Sequence, residues 1–174
     1  MFKEFKILRI FFENPSRDFN VREVARILKL SPATTSKELK KLAKKGVLKK
    51  REERILNLYK SNIDNILYRD LKIFYNIRKI RDSGLIEELN KFYLKPTIVL
   101  FGSSSNGFDT ENSDIDLLIL SEKTKVFENL KKFEKKINRK IQLFVVKKLK
   151  DLKNEHLMNS VINGIVIQGE LKWT

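Results

Sequence analysis

Apolar positions recur at helical spacing through the first half of the chain and gather into short unbroken runs in the second. Residues 3–13 place Phe5, Leu8, Ile10, Phe11 and Phe12 around much of a helix, which Asn14-Pro15 ends. Residues 21–28 form a short second helix with Val21, Val24, Ala25 and Leu28 inward. Asn20 is its N-cap, and Glu23 stands in the capping-box position. Ser31 caps a third helix with Pro32 at its first position; Thr35, Leu39, Leu42 and Ala43 make its buried stripe, and Gly46 closes it. Two β-like runs follow, residues 47–51 and 55–59, joined through Glu52-Glu53-Arg54.

The pattern turns helical again over residues 62–82 and 84–92. Ile63, Ile66, Leu67, Leu71, Phe74, Tyr75, Ile77 and Ile80 give the first of these helices more apolar surface than a linker needs. That surface suits either packing on both flanking domains or a seam between two copies, as in a homodimer. Beyond it, Ile98 to Phe101 reads as a buried strand, and a second opens with Ser113-Asp114-Ile115-Asp116 and runs through Leu120. Residues 123–137 predict a helix, residues 139–146 a third strand, 149–163 one or two helices, and 164–167 a last short strand.

The chemistry lies between the two buried strands. Strand side chains alternate faces, so Asp114 and Asp116 point the same way while Ile115 and Leu117 point into the core. Two carboxylates side by side repel and resist desolvation, and a divalent cation relieves both; hard oxygen ligands suit magnesium. Upstream, Gly102 permits close backbone approach. Ser103 and the amides after it open a short helix that suits a phosphate. A phosphate cradle followed by a magnesium pair amounts to a nucleoside triphosphate site.

Charge separates the chain into two parts. The net charge is +15. Residues 1–60 hold 17 Lys/Arg against 7 Asp/Glu, whereas residues 61–174 hold 20 against 15. The basic excess therefore concentrates in the first third, as expected of a nucleic-acid-facing module. Without cysteine there is neither a disulfide nor a thiolate metal site, which fits a reducing cytoplasm. No apolar run approaches the roughly 20 residues of a membrane span. The richness in Lys, Ile and Glu suits a thermophilic archaeon or an AT-rich genome. His156, the only histidine, lies on a polar helix without metal-ligand spacing. Trp173 reads as a packing anchor or a frayed tail.

The order Gly102-Ser103, Gly107, Ser113-Asp114-Ile115-Asp116-Leu117 resembles the signature of the minimal DNA polymerase beta-like nucleotidyltransferases, over roughly residues 95–170. The resemblance implies that Asp114 and Asp116 are catalytic and hold Mg2+, and that Gly102, Ser103, Gly107 and Ser113 bind the nucleotide. It also implies a third acidic residue on the third strand. That position aligns with Gln142, and no Asp or Glu lies between Glu134 and Asp151. A neutral amide cannot act as a general base and holds magnesium weakly. A family arginine before the second glycine is replaced by Asn106.

The first third, from Leu30 to Lys50, resembles the recognition helix and wing of archaeal winged helix-turn-helix regulators. By that resemblance Ala33, Thr34, Ser36 and Lys37 approach base edges of double-stranded DNA, while Lys40, Lys41, Lys49, Arg51 and Arg54 hold phosphates. The alternative is a helical bundle whose lysines form a solvated face.

The expectation is an α+β chain: a winged helix-turn-helix over residues 1–61, connecting helices over 62–94, and a nucleotidyltransferase-like domain with a small mixed sheet over 95–174. It describes a DNA-binding transcriptional regulator whose second domain binds NTP with magnesium without the third carboxylate. Its rival is an active nucleotidyltransferase moving NMP from NTP to a protein, RNA or small molecule. Members of the resembled class often act as the antitoxin of a helical toxin, so a partner protein is a further expectation.

Overall fold

The computed structural model describes residues 2–172, so Trp173 lies outside the described residues. The chain divides into two compact units, Met1–Tyr75 and Asn76–Thr174, each with its own core.

In the first unit, α1 (Phe2–Glu13), α2 (Val21–Leu28) and α3 (Pro32–Lys44) close over a small antiparallel sheet. Its strands are β1 (Phe19–Asn20), β2 (Leu48–Glu53) and β3 (Leu56–Ser61), in the order β1-β3-β2. Strand β1 has no counterpart in the sequence pattern, because two residues are too few to show a period. The caps follow the residue chemistry. The side chains of Asn20 and Ser31 accept hydrogen bonds from the Glu23 and Thr34 amides. The carboxylate of Glu23 pairs with Arg17. At the end of α3, Gly46 (φ +73°) lets its own amide reach the Ala43 carbonyl and the Val47 amide reach that of Leu42. That closure needs a left-handed residue, which glycine supplies without strain. Phe11, Phe12, Phe19, Leu39, Leu42 and Tyr59 anchor the core.

The hairpin is longer than expected. Glu53 pairs with Leu56, so Glu52 and Glu53 belong to β2 and the turn is Arg54-Ile55. Helix α4 (Ile66–Asp82) likewise begins four residues later than the pattern suggests, because the Asn65 side chain accepts from the Tyr68 amide and caps it. The division between units falls inside α4. Tyr68, Leu71 and Tyr75 belong to the first core; Ile77 and Ile80 belong to the second.

The second unit is a four-stranded mixed sheet in the order β6-β5-β4-β7, formed by β4 (Thr97–Phe101), β5 (Ile115–Leu120), β6 (Ile141–Val146) and β7 (Ile165–Gln168). Strands β5 and β6 run parallel, and the other pairs are antiparallel. Ile98, Leu100, Leu117 and Ile119 face a layer that includes α5 (Leu85–Tyr93) and α7 (Leu130–Ile137). Val99, Phe101 and Leu118 face Leu149, Leu152 and Val161, the last on α8 (Glu155–Ile162). Both faces are covered, so the strands read as continuous apolar runs. Helix α7 starts at Leu130 rather than near Lys123. Phe127 is instead drawn into the core in an edge-on contact with Phe92, centroids 5.3 Å apart, which commits the preceding segment to loop. Strand β6 starts at Ile141, after Asn138 turns the chain through a left-handed conformation.

Candidate nucleotide site and candidate nucleic-acid surface

Strand β4 ends at Phe101, and Gly102 (φ +70°, ψ −155°) swings the chain into the single-turn helix α6 (Ser103–Asn106). A Cβ on Gly102 would lie 2.6 Å from Oδ2 of Asp116, well inside contact distance. The close approach expected at Gly102 is thus made first to a carboxylate of the site itself. The Ser103 and Ser104 amides open α6 without intrahelical partners. The Ser105 hydroxyl donates to the Gly102 carbonyl at 2.8 Å and fixes the bend. At the other end of α6, Gly107 takes the left-handed conformation.

Asp116 lies within β5, and Asp114 just precedes it. Both are partly buried. Burial pushes the Asp116 carboxyl above its ordinary pKa. The neighbouring Asp114 charge adds to the rise, and the Arg139 guanidinium opposes it. Gln142 sits opposite Asp116 in the parallel register and donates from Nε2 to Oδ2 of Asp114 at 2.7 Å. An amide hydrogen therefore occupies a lone pair of Asp114 beside the pair. Among the described residues no group of three or more His, Cys, Asp or Glu could hold a metal. Ser113 turns inward on its own loop: its hydroxyl accepts from the Thr110 amide at 2.9 Å.

The residue that organises this loop is Arg139, which the sequence pattern assigned merely to a strand. Its guanidinium donates to the Ser113 carbonyl (2.7 Å), the Asp109 carboxylate (2.7 Å), the Ser104 hydroxyl (2.9 Å) and the Asp114 carbonyl (2.8 Å). The Asn76 amide adds bonds to Asp109 and to the Ser104 carbonyl. Both members of the Arg139–Asp109 pair are nearly buried, with side chains 10% and 2% exposed. One planar fork thereby ties α6, the following loop and the Asp114 backbone together, as a lysine could not. A signal was present: Arg139 is the single arginine among residues 82–174, against fourteen lysines.

In the first unit, Ala33, Thr34, Lys37 and Lys40 are exposed along α3, and Ser36 is half-buried. The Thr34 hydroxyl accepts from that of Ser31 at 2.8 Å, so Thr34 is partly committed to the cap. Three of the cations expected to meet phosphates carry acidic partners. Lys41 pairs with Glu4 at 2.7 Å, Lys49 with Asp64 at 2.7 Å, and Arg51 with Asp18 at 3.2 Å and Glu53 at 2.8 Å. All three cations are more than half exposed, so these pairs contribute little and exchange readily for other anions. Arg54 occupies the hairpin turn with φ +54°.

Residues 82–167, which lie within the second unit, match the family model of the nucleotidyltransferase domain. A solved structure described as a possible transcriptional regulator from Methanosarcina mazei is 21% identical, with a TM-score of 0.37; the match covers 53% of this chain and 78% of that one. No curated protein matches the chain. No helix among the described residues is long and apolar enough to cross a membrane.

Proposed function

We propose that the chain is a DNA-binding transcriptional regulator whose nucleotidyltransferase domain binds NTP with magnesium and has lost transfer activity. The observation that carries the second half is the Gln142 amide donating to Asp114 at 2.7 Å. A carboxylate there would complete the metal site and accept a proton from the attacking hydroxyl; an amide does neither. The donor set still fits one cation. Asp114 and Asp116 are adjacent, mutually repelling carboxylates, one of them protonated more readily than usual. Magnesium held by that pair would neutralise charge on a bound triphosphate. Arg139 keeps the Asp114 backbone in place, and Gly102 leaves the Asp116 carboxylate its space.

The first half rests on residues 1–61, read as a winged helix-turn-helix. Helix α2, a turn through Lys29, the exposed face of α3 and the β2–β3 hairpin follow in the order such a module requires. Ala33, Thr34, Ser36 and Lys37 approach base edges, and Lys40, Lys41, Lys49, Arg51 and Arg54 hold phosphates. A ligand-responsive second domain then makes the protein a sensor acting at its operator.

Two measurements test this. Incubation with labelled ATP, magnesium and candidate acceptors is expected to give binding without transfer; turnover at ~1 per second or faster would establish the enzyme instead. With about five phosphate contacts, log K for duplex DNA should fall against log salt with a slope of roughly −4 to −5. Changing both Lys49 and Arg51 to Ala should flatten that slope. Binding that ignores salt would refute the DNA reading.

A further inference from the structure

We propose that a cleft at the end of the second unit's sheet remote from Asp114 and Asp116 is a second ligand site, which takes a small organic polyanion bearing two or more phosphate or carboxylate groups. This goes beyond the nucleotide reading and does not depend on it, because the two sites share no residue.

Strand direction creates the cleft. Strands β5 and β6 are the sheet's parallel pair. Asp114 and Asp116 stand where β5 begins, whereas the cleft opens where it ends, at Leu120, about 13 Å from Asp116 along the strand. Beyond their last residues the two strands send the chain opposite ways. After β5 it passes Phe127 and enters α7, in the core on one face; after β6 it passes Leu149 and Leu152, in the core on the other. Parallel neighbours whose continuations part to opposite faces leave a crevice outside their carboxyl ends, where ligands of such sheets bind. Here the crevice has a volume of about 520 Å3, the size of a small-molecule site.

Its lining suits an organic anion. Leu120 and Leu149 give it an apolar floor, and Leu149 is itself buried in the core beneath. Lys147, Lys148 and Lys172 line it against one carboxylate, that of Glu170. Lys147 stands 3.6 Å from Glu122 and Lys172 3.6 Å from Glu170, contacts too long for hydrogen bonds. Cations converging on a cleft attract an anion more strongly than the same charges spread over a surface, since low-dielectric walls focus their field.

The wall that carries Lys172 is held in place. Gly169 (φ +75°) turns the chain after β7 against the start of β4, where a Cβ would lie 2.6 Å from Oγ1 of Thr97. The Thr97 hydroxyl in turn donates to the Glu170 carbonyl at 2.9 Å. Cations therefore reach the cleft from strands at opposite edges of the sheet, Lys147 and Lys148 after β6 and Lys172 after β7.

The experiment uses the full chain without magnesium, with phosphoenolpyruvate and citrate as probes. Binding is measured by calorimetry, and acetylation of each lysine is followed by mass spectrometry. At least one probe should bind saturably and slow acetylation of Lys147, Lys148 and Lys172 severalfold, leaving Lys37 and Lys40 on α3 unchanged. Binding of phosphoenolpyruvate alone marks a phosphate subsite, whereas binding of citrate shows that carboxylates suffice. Lys147→Gln with Lys148→Gln should weaken binding about tenfold at an unchanged ligand-free melting temperature. Asp114→Asn with Asp116→Asn should bind the probe as wild type does, whatever becomes of the nucleotide. The proposal is overturned if neither probe binds, if all exposed lysines are protected alike, or if the double lysine variant binds like wild type. Protection of the three lysines by a short RNA and by neither probe also overturns it, and makes the cleft part of a nucleic-acid surface.

Discussion

Gln142 donates its side-chain amide to Oδ2 of Asp114 across 2.7 Å, from the strand position opposite Asp116. Replacing it by Asp removes that donor and sets a third negative charge beside two others. Without ligand, Gln142→Asp should cost about 1–3 kcal/mol of stability. With nucleotide and magnesium it should show a larger rise in melting temperature than wild type. Equal ligand-induced rises in the two proteins would mean that position 142 lies outside the metal's reach.

Gly102→Ala tests the other side of the pair. The new methyl group would meet Asp116 Oδ2 at 2.6 Å, and alanine resists φ +70°. The expected loss is about 1–3 kcal/mol, together with loss of nucleotide-dependent stabilisation as Asp116 is displaced. Thermal melts with and without ligand read both effects, and a variant as stable as wild type would contradict the packing described.

Removing Arg139 leaves the buried Asp109 carboxylate without its guanidinium. Arg139→Met should therefore destabilise by about 3–5 kcal/mol, and adding Asp109→Asn should recover part of that loss. Strict additivity of the two changes in denaturant unfolding would show that the pair is not coupled.

The Asp116 carboxyl, raised by burial and by Asp114, binds its proton more tightly folded than unfolded. Its stability contribution is therefore fully present below the ordinary aspartate range and is lost as pH rises through the raised value. Asp116→Asn should gain on wild type over that rise and be the more stable ligand-free protein at neutral pH. Parallel stability curves against pH would refute the shift.

Much of this was legible in the sequence because period and capping are local. Asn20, Ser31 and Gly46 announce the ends of α2 and α3, and the run from Ile115 to Leu120 announces a strand covered on both faces. The two missed helix starts differ: the Asn65 cap is local and lost only because the apolar pattern already begins at Ile63, whereas the start at Leu130 depends on the long-range contact of Phe127 with Phe92. Asp114 and Asp116 stood out as a pair. Arg139 did not, because its partners come from positions 104, 109, 113 and 114, and only the folded chain brings them to one guanidinium.

Strand β6 has a different consequence. It lies at the rim of its sheet with one side of its backbone unpaired, and its six residues, IQLFVV, carry no charge. Such a rim would recruit its own copies into growing ribbons. Lys140 before it and Lys147-Lys148 after it bring cation against cation when two such rims meet, in either direction. That protection is purely coulombic, so concentrated salt should weaken it and turn a well-dispersed basic protein into one that clots.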